Sequence, residues 1–337
     1  MPDSPEWTIH PYREEDADRV VELLASCLGR GGIPRSTAFW RWKHESNPFG
    51  PSPALVATAG RELVALRAFL RWDWWSGERR VPAVRAVDTA TRADHRGRGL
   101  FSALTGELVE RETERGTAFV FNTPNRQSGP GYLKMGWRRL GRLPVLVRPF
   151  ALRSLARRMG LGGAPASALE PGLEPMARFL DRPQTAPLLA AVEGERGADP
   201  RHRSRLDDAY LRWRYAAIPG LDYQAAWHGE GDAAAALVVR TRRRRGLVEA
   251  SVSEILVTAA PASVRNAARL LRALGSTTSA GYAVAVASPR TAERRALGRA
   301  GFLPLPGAGP HLYARRLAGQ PPRLADWRLS VGSFEIF

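Results

Sequence analysis

The chain has 337 residues, 44% of them hydrophobic, which exceeds one typical compact core and suffices to bury two. Fifty Lys and Arg against 33 Asp and Glu leave a net charge of +17, which favours polyanionic ligands, whether a phosphate-bearing cofactor or nucleic acid. A single Cys27 excludes disulfides within the chain and Cys-cluster metal sites, no apolar run approaches the roughly 18 residues of a bilayer span, and the polar, acidic start MPDSPEWT is unlike a signal peptide, so a cytoplasmic location is expected. In chain order, a helix is expected over about 14–28. Its first turn, with Glu14, Glu15 and Asp16, suits the positive helix end, and Val20, Leu23, Leu24 and Cys27 recur on one packing face. Next come the segment 39–42, a Pro-Gly loop at 47–53, strands near 54–58 and 63–72, a Ser76-Gly77 turn, and a fourth strand carrying Val84, Ala86, Thr89 and Thr91. Trp40, Trp42, Trp72, Trp74 and Trp75 are dense enough to serve either core packing or a cleft lined with flat rings that accepts a sugar or aliphatic amine.

Residues 91–101, TRADHRGRGLF, join that strand to a helix whose face is Leu100, Phe101, Leu104 and Leu108. The first N–H groups of a helix lack partners and the dipole there is positive, so Gly97 and Gly99 would let these amides close on phosphate oxygens while Arg96 and Arg98 add charge. The spacing is neither a Walker loop nor the GxGxxG dinucleotide fingerprint. It resembles motif A of the GNAT N-acetyltransferase superfamily, [Q/R]xxGx[G/A], with Arg96, Gly99 and Phe101 at the defined positions. Phe101 departs from the pattern, standing where Gly or Ala is usual.

A second motif follows the strand-like run at 118–121. The stretch NTPNRQSGPGYLKMGW, 122–137, resembles motif B of the same superfamily, with Asn125, Ser128, Tyr132, Lys134, Gly136 and Trp137 matching. The resemblance implies that Asn125 and Ser128 contact the coenzyme arm and that Tyr132 protonates the departing thiolate of coenzyme A. A phenol with a reference pKa near ~10 stays protonated at neutral pH and suits that task.

The chain also repeats itself. AFWRWKHESNP from Ala38 recurs as AYLRWRYAAIP from Ala209, and the fifteen residues from Thr123 align without a gap on those from Ser288, at offsets of 171 and 165. In the second copy Leu297 replaces Tyr132, Arg290 replaces Asn125, and 258–269 carries no RGxG. The expected fold is therefore α/β of the α+β GNAT-like kind: two tandem GNAT-type domains, each a mixed, mostly antiparallel sheet flanked by helices. The expected division is an acyltransferase domain over 1–150, a connecting segment over 151–205 whose strands cannot be placed, and a degenerate copy over 206–337. Such an arrangement resembles mycothiol-synthase-like tandem acyltransferases. The run 242–245 (RRRR), followed by Gly246, is expected at a β-hairpin tip, and no nucleic-acid-binding motif accompanies it.

The resemblance implies acetyl-CoA as co-substrate, no metal, and a small-molecule primary amine as acceptor; the oligomeric state is left open. If strands four and five splay after Thr91 and Phe121, the pantetheine arm can lie between them. The coenzyme-binding set is then Ala90, Thr91, Arg96, Gly97, Arg98, Gly99, Leu100, Phe101, Asn125 and Ser128, with amides near Ala90 and Thr91 facing the thioester carbonyl. Tyr132 is the acid and Asp88 the first candidate base, with Glu45 and His44 behind it; Asp88 reads equally as a strand-end hydrogen-bonding residue. The ending ADWRLSVGSFEIF resembles tandem GNAT proteins encoded beside cell-surface polysaccharide genes and points to an amino sugar. Two alternatives stay open: a coenzyme-A-binding scaffold without turnover, and a Fem-type aminoacyl transferase using aminoacyl-tRNA.

Overall fold

A computed structural model describes residues 7–28, 34–150, 172–244 and 246–334. Parts of three expectations lie outside the described residues: 151–171 of the connecting segment, Arg245 of the cationic run, and the last three residues of the carboxy-terminal run.

The first half runs β1 (Thr8–Pro11), α1 (Ala17–Leu28), α2 (Thr37–His44), β2 (Ala54–Ala59), β3 (Glu62–Ser76), β4 (Arg79–Thr91), α3 (Leu100–Glu114), β5 (Phe119–Asn122), α4 (Gly129–Lys134), β6 (Arg138–Arg142) and β7 (Val145–Pro149). The second half repeats this order with one added helix and the added short strand β9. It has β8 (Glu174–Pro175), α5 (Met176–Leu180), α6 (Thr185–Gly197), β9 (His202–Arg203) and α7 (Asp208–Leu211). These are followed by β10 (Gln224–His228), β11 (Ala235–Arg244), β12 (Leu247–Val257), α8 (Pro261–Thr277), β13 (Tyr282–Val286), α9 (Ala292–Arg299), β14 (Leu303–Pro304) and β15 (His311–Arg316). The hairpin expected at the arginine run is present: β11 and β12 pair out to Arg244 and Leu247, and Arg242 and Arg244 both reach Glu249.

Two sheets result, ordered β1-β2-β3-β4-β5-β15-β6 and β14-β7-β13-β12-β11-β10-β8, with β9 paired to β3. Each is mixed and mostly antiparallel, with one parallel pair at its centre, β4 with β5 and β12 with β13. The halves exchange their last strands. β15 enters the first sheet between β5 and β6, and β7 enters the second between β13 and β14. One cut in the chain therefore does not separate the sheets. β7 lies within 1–150 yet belongs to the second sheet, β15 lies within 206–337 yet belongs to the first, and the connecting segment supplies β8 to one and β9 to the other.

β3 reads as a nearly continuous apolar run because both of its faces are covered, as in a central strand. Val64 and Phe69 pack with Leu104 and Leu108 of α3, whereas Leu66 and Ala68 pack with Val20 and Leu24 of α1. Between the sheets lies a third, aromatic core in which Trp72 and Trp74 meet Tyr210, Trp213 and Trp327. The repeated tryptophans mark its pseudo-symmetry. Trp42 and Trp213 stack at 5.1 Å, and each indole N–H donates to the other's backbone carbonyl, at 2.7 and 2.9 Å. Trp40, Trp42, Trp72 and Trp74 are thus core residues, and Trp75 is half-buried beneath Arg205; the choice between core and cleft is settled by packing.

Candidate active site

The first site begins where β4 parts from β5. Their parallel pairing stops at Arg85 and Phe121, six residues earlier on β4 than Thr91, so residues 86–91 leave one backbone edge unpaired with β5. A β-bulge lies just beyond: Arg67 pairs with Thr89 and Ala68 with Val87, and Asp88 is the extra residue, with φ of 30°. Bulges kink a strand and re-aim a side chain, and a non-glycine residue at positive φ is a strained position that its surroundings must hold. Here α2 holds it. Lys43 Nζ donates to Asp88 Oδ2 at 2.6 Å, and His44 Nε2 lies 2.8 Å from the same oxygen.

Burial alone would push the Asp88 carboxyl up, but Lys43 and His44 more than offset it and hold it well below the usual carboxylate range. Burial in turn lowers both Lys43 and His44, opposed by Asp88. Asp88 is therefore an anion with little appetite for a proton. It can attract and orient a cation better than it can keep one. Glu45 is turned elsewhere, accepting from Tyr12 at 2.6 Å.

The splay opens a cleft of about 330 Å³ lined by Asp88, Thr89, Asn122, Asn125, Ser128 and Tyr132, together with Arg67 and Arg85. Four of the residues expected from sequence, Asp88, Tyr132, Asn125 and Ser128, thus meet in one place. Asn125 builds the start of α4: its Oδ1 accepts from the backbone N–H of Gln127 and Ser128 and from the Ser128 hydroxyl, at 2.9 to 3.0 Å, which leaves its NH2 for the cleft. Tyr132 is buried on α4, and its hydroxyl accepts from Arg67 Nη2 at 2.7 Å.

The loop expected from sequence to receive phosphate lies at the head of α3. Gly99 is the residue before the helix, at φ 83°, and Gly97 has φ 78°; a Cβ on either would meet nothing within 4 Å. This conformation favours glycine, and the open space lets a ligand approach the first helical amides. Arg96 and Arg98 are exposed, Leu100 is buried as the first helical residue, and Arg96 Nε donates to Thr91 O at 3.1 Å. Ala90 and Thr91 remain paired with Leu66 and Ala65 of β3.

Arg67, Arg85 and Lys43 were not singled out from the sequence. Arg85 donates to the carbonyls of Ser333 and Phe334 and to the Thr123 hydroxyl, so the carboxy-terminal segment of the second half reaches this cleft. Burial, together with the repulsion of Arg214, lowers Arg85 to about 9. A signal was available: in LVALRAFL and VPAVRAVD a lone arginine interrupts an apolar strand, and a cation placed where a strand is buried calls for a partner.

Residues 8–140 match the acetyltransferase (GNAT) domain model. The amino-terminal copy is a GNAT domain. No curated protein matches the chain significantly. Among solved structures the chain is similar to a GCN5-related N-acetyltransferase from Anabaena variabilis, at 13% identity over 92% of this chain and 73% of that one, with a TM-score of 0.64. It is similar to a probable N-acyltransferase from Enterococcus faecalis, at 11% identity over 93% and 73%, TM-score 0.63. It is also similar to the Saccharomyces cerevisiae N-myristoyltransferase bound to myristoyl-CoA, at 11% identity over 96% and 85%, TM-score 0.58. These likenesses concern the fold, and the two sheets have the tandem GNAT arrangement. GNAT domains typically use acyl-CoA. Among the described residues no helix is long and apolar enough to cross a membrane.

Proposed function

We propose that the GNAT domain moves an acetyl or similar acyl group from coenzyme A to the primary amine of a small molecule. The observation that carries this reading is the splay between β4 and β5, whose cleft is lined by Tyr132, with Phe101 of the helix that starts after Gly99 packed edge to face on that ring. The coenzyme's diphosphate would lie on the amides after Gly97 and Gly99, with Arg96 and Arg98 adding charge. Residues 86–91 offer the pantetheine arm a backbone edge that β5 leaves unpaired, and amides near Ala90 and Thr91 would face the thioester carbonyl.

In this reading Asp88 draws the acceptor's ammonium to the carbonyl, and its low proton affinity passes the amine proton on to water. Tyr132 supplies the proton that the leaving sulfur takes. The activity belongs to residues 1–150; 206–337 is a degenerate copy that supports the first through the exchanged strand and the segment at Arg85, and the segment 151–205 joins them while adding β8 to one sheet and β9 to the other. The cleft wall is polar and cationic and holds no tryptophan, so an amino sugar would be held by hydrogen bonds instead of ring stacking.

Calorimetry with acetyl-CoA, joined to turnover assays over amino sugars, polyamines and amino acids, tests the proposal. Wild type is expected to bind acetyl-CoA and acetylate at least one amine. Tyr132→Phe should bind equally well and lose roughly 10²- to 10⁴-fold in kcat. Absence of acetyl-CoA binding overturns the reading; binding with no transfer to any amine supports a scaffold instead.

A further inference from the structure

Arg67 is fully buried, yet among the described residues it has no carboxylate partner. Its Nη1 donates to Val87 O at 3.2 Å, its Nη2 to the Tyr132 hydroxyl at 2.7 Å, and its Nε is buried without a partner. Three rings surround the guanidinium, Phe69 at 5.0 Å and Phe101 and Tyr132 each at 5.5 Å. Phe101 also meets Tyr132 edge to face at 5.7 Å. The departure of Phe101 from motif A therefore has a structural purpose: its ring closes a cage around Arg67 and Tyr132. Burying an unpaired cation is costly, so such a group is retained where it acts.

We propose that Arg67 is the positioning residue of the leaving-group end of this site, fixing the Tyr132 hydroxyl and supplying the positive charge that the departing thiolate meets. The inference rests on the acyl-transfer reading above. A guanidinium is a donor only, so the Tyr132 oxygen must accept from it, and the phenolic proton is left to point to the cleft. When the amine nitrogen bonds to the thioester carbonyl carbon, the C–S bond breaks with its electron pair on sulfur. Sulfur takes the Tyr132 proton. The tyrosinate so formed stays beside Arg67 until a proton, released from the amine nitrogen to water, restores it.

The second copy supplies the control. The bulge at Asp88 recurs at Ser253, with Val238 opposite Glu254 where Arg67 lies opposite Thr89. Val238 thus stands in place of Arg67, and Leu297 stands in place of Tyr132; cation and phenol are absent together. An aliphatic side chain at this strand position is compatible with the fold.

The experiment compares wild type, Arg67→Met, Arg67→Lys and Tyr132→Phe. The thiol of bound coenzyme A is titrated by thiolate absorbance, and kcat and KM are measured with acetyl-CoA and the amine that wild type acetylates best. In wild type and in Tyr132→Phe the bound thiol should ionise about one to three pH units below a free thiol, as expected for an acid beside a cation. In Arg67→Met it should return to the value of free coenzyme A titrated alongside. In the same variant kcat should fall roughly ten- to a hundred-fold with KM for acetyl-CoA unchanged, and Arg67→Lys should recover part of both effects. An Arg67→Met protein whose bound thiol titrates as in wild type, or whose loss lies in KM or in coenzyme affinity, overturns the role. If wild type itself fails to bind coenzyme A, the acyl-transfer reading fails instead.

Discussion

The same strand-splay occurs in both halves, but it is open in one and filled in the other. In the first sheet the parallel pairing stops three residues short of the bulge at Asp88; in the second it runs to Val252, immediately before the bulge at Ser253. The second cavity is about 10 Å³, room for no more than one water. Its space is taken by a charged lattice: Arg196 and Arg328 both pair with Glu293, at 3.0 and 2.9 Å, and Arg328 also reaches Asp199 at 3.4 Å. Ser330 follows, donating to Glu254 at 3.0 Å. The second copy thus differs from the first by more than its motif residues. The second splay has become the anchor for the carboxy-terminal segment, whose next residues bond to Arg85 in the open one.

The two carboxylates at these bulges titrate in opposite senses. Asp88, with Lys43 and His44 beside it, is depressed. Glu254 is pushed by burial to about 7, against Arg196 and its bonds from Tyr215 and Ser330. Asp88 contributes stability that is present above about pH 4 and is lost as the pH falls through its lowered value. For Glu254 the folded state holds a proton that the unfolded chain releases near 4.5, so stability declines as the pH rises from 4.5 to 7.

Breaking the contact that relates the halves should have the largest effect. Trp213→Ala removes the stacked ring and one hydrogen bond, leaves the Trp42 ring without its partner, and should cost about 4 kcal/mol in denaturant unfolding. Asp88→Asn leaves Lys43 buried without its counter-charge. It should cost about 3 kcal/mol, with a loss of turnover greatest for a cationic acceptor; unchanged stability would show that Lys43 is neutral in the fold. Glu254→Gln should flatten the slope between pH 4.5 and 7, which is worth about 3 kcal/mol in wild type, leaving acid-side unfolding intact. The smallest effect is expected at the exposed loop. Arg96→Ala with Arg98→Ala should weaken acetyl-CoA binding by about 1 to 2 kcal/mol at low salt and less at high salt, and equal losses at both would argue against a charge-based contact.

Helix α1, strands β2 to β4 and the arginine hairpin were legible because periodicity and turn residues are local. The cleft members Asn125, Ser128 and Tyr132 were legible through a motif that keeps its spacing, and Asp88 only through its place on the strand a few residues before the glycine-bearing loop. Arg67 and Arg85 were only half visible: an arginine within an apolar strand announces a buried cation but not what surrounds it. The depth of the splay was misplaced by six residues on β4, since where two parallel strands part depends on a bulge and on neighbours from α2, far away in sequence.

By itself the sequence determined the repeat, the glycine-bearing helix start at Gly99, the phenol at Tyr132 and their loss from the second copy. These depend on local dihedral preferences and side-chain chemistry carried by neighbouring residues. Only the tertiary structure decided that β7 and β15 change places, that Trp42 and Trp213 bond reciprocally, and that Arg67 faces Tyr132 within a ring of aromatics. Each of those brings together residues far apart in the chain, and such pairings are chosen by the burial of whole faces, which no local pattern encodes.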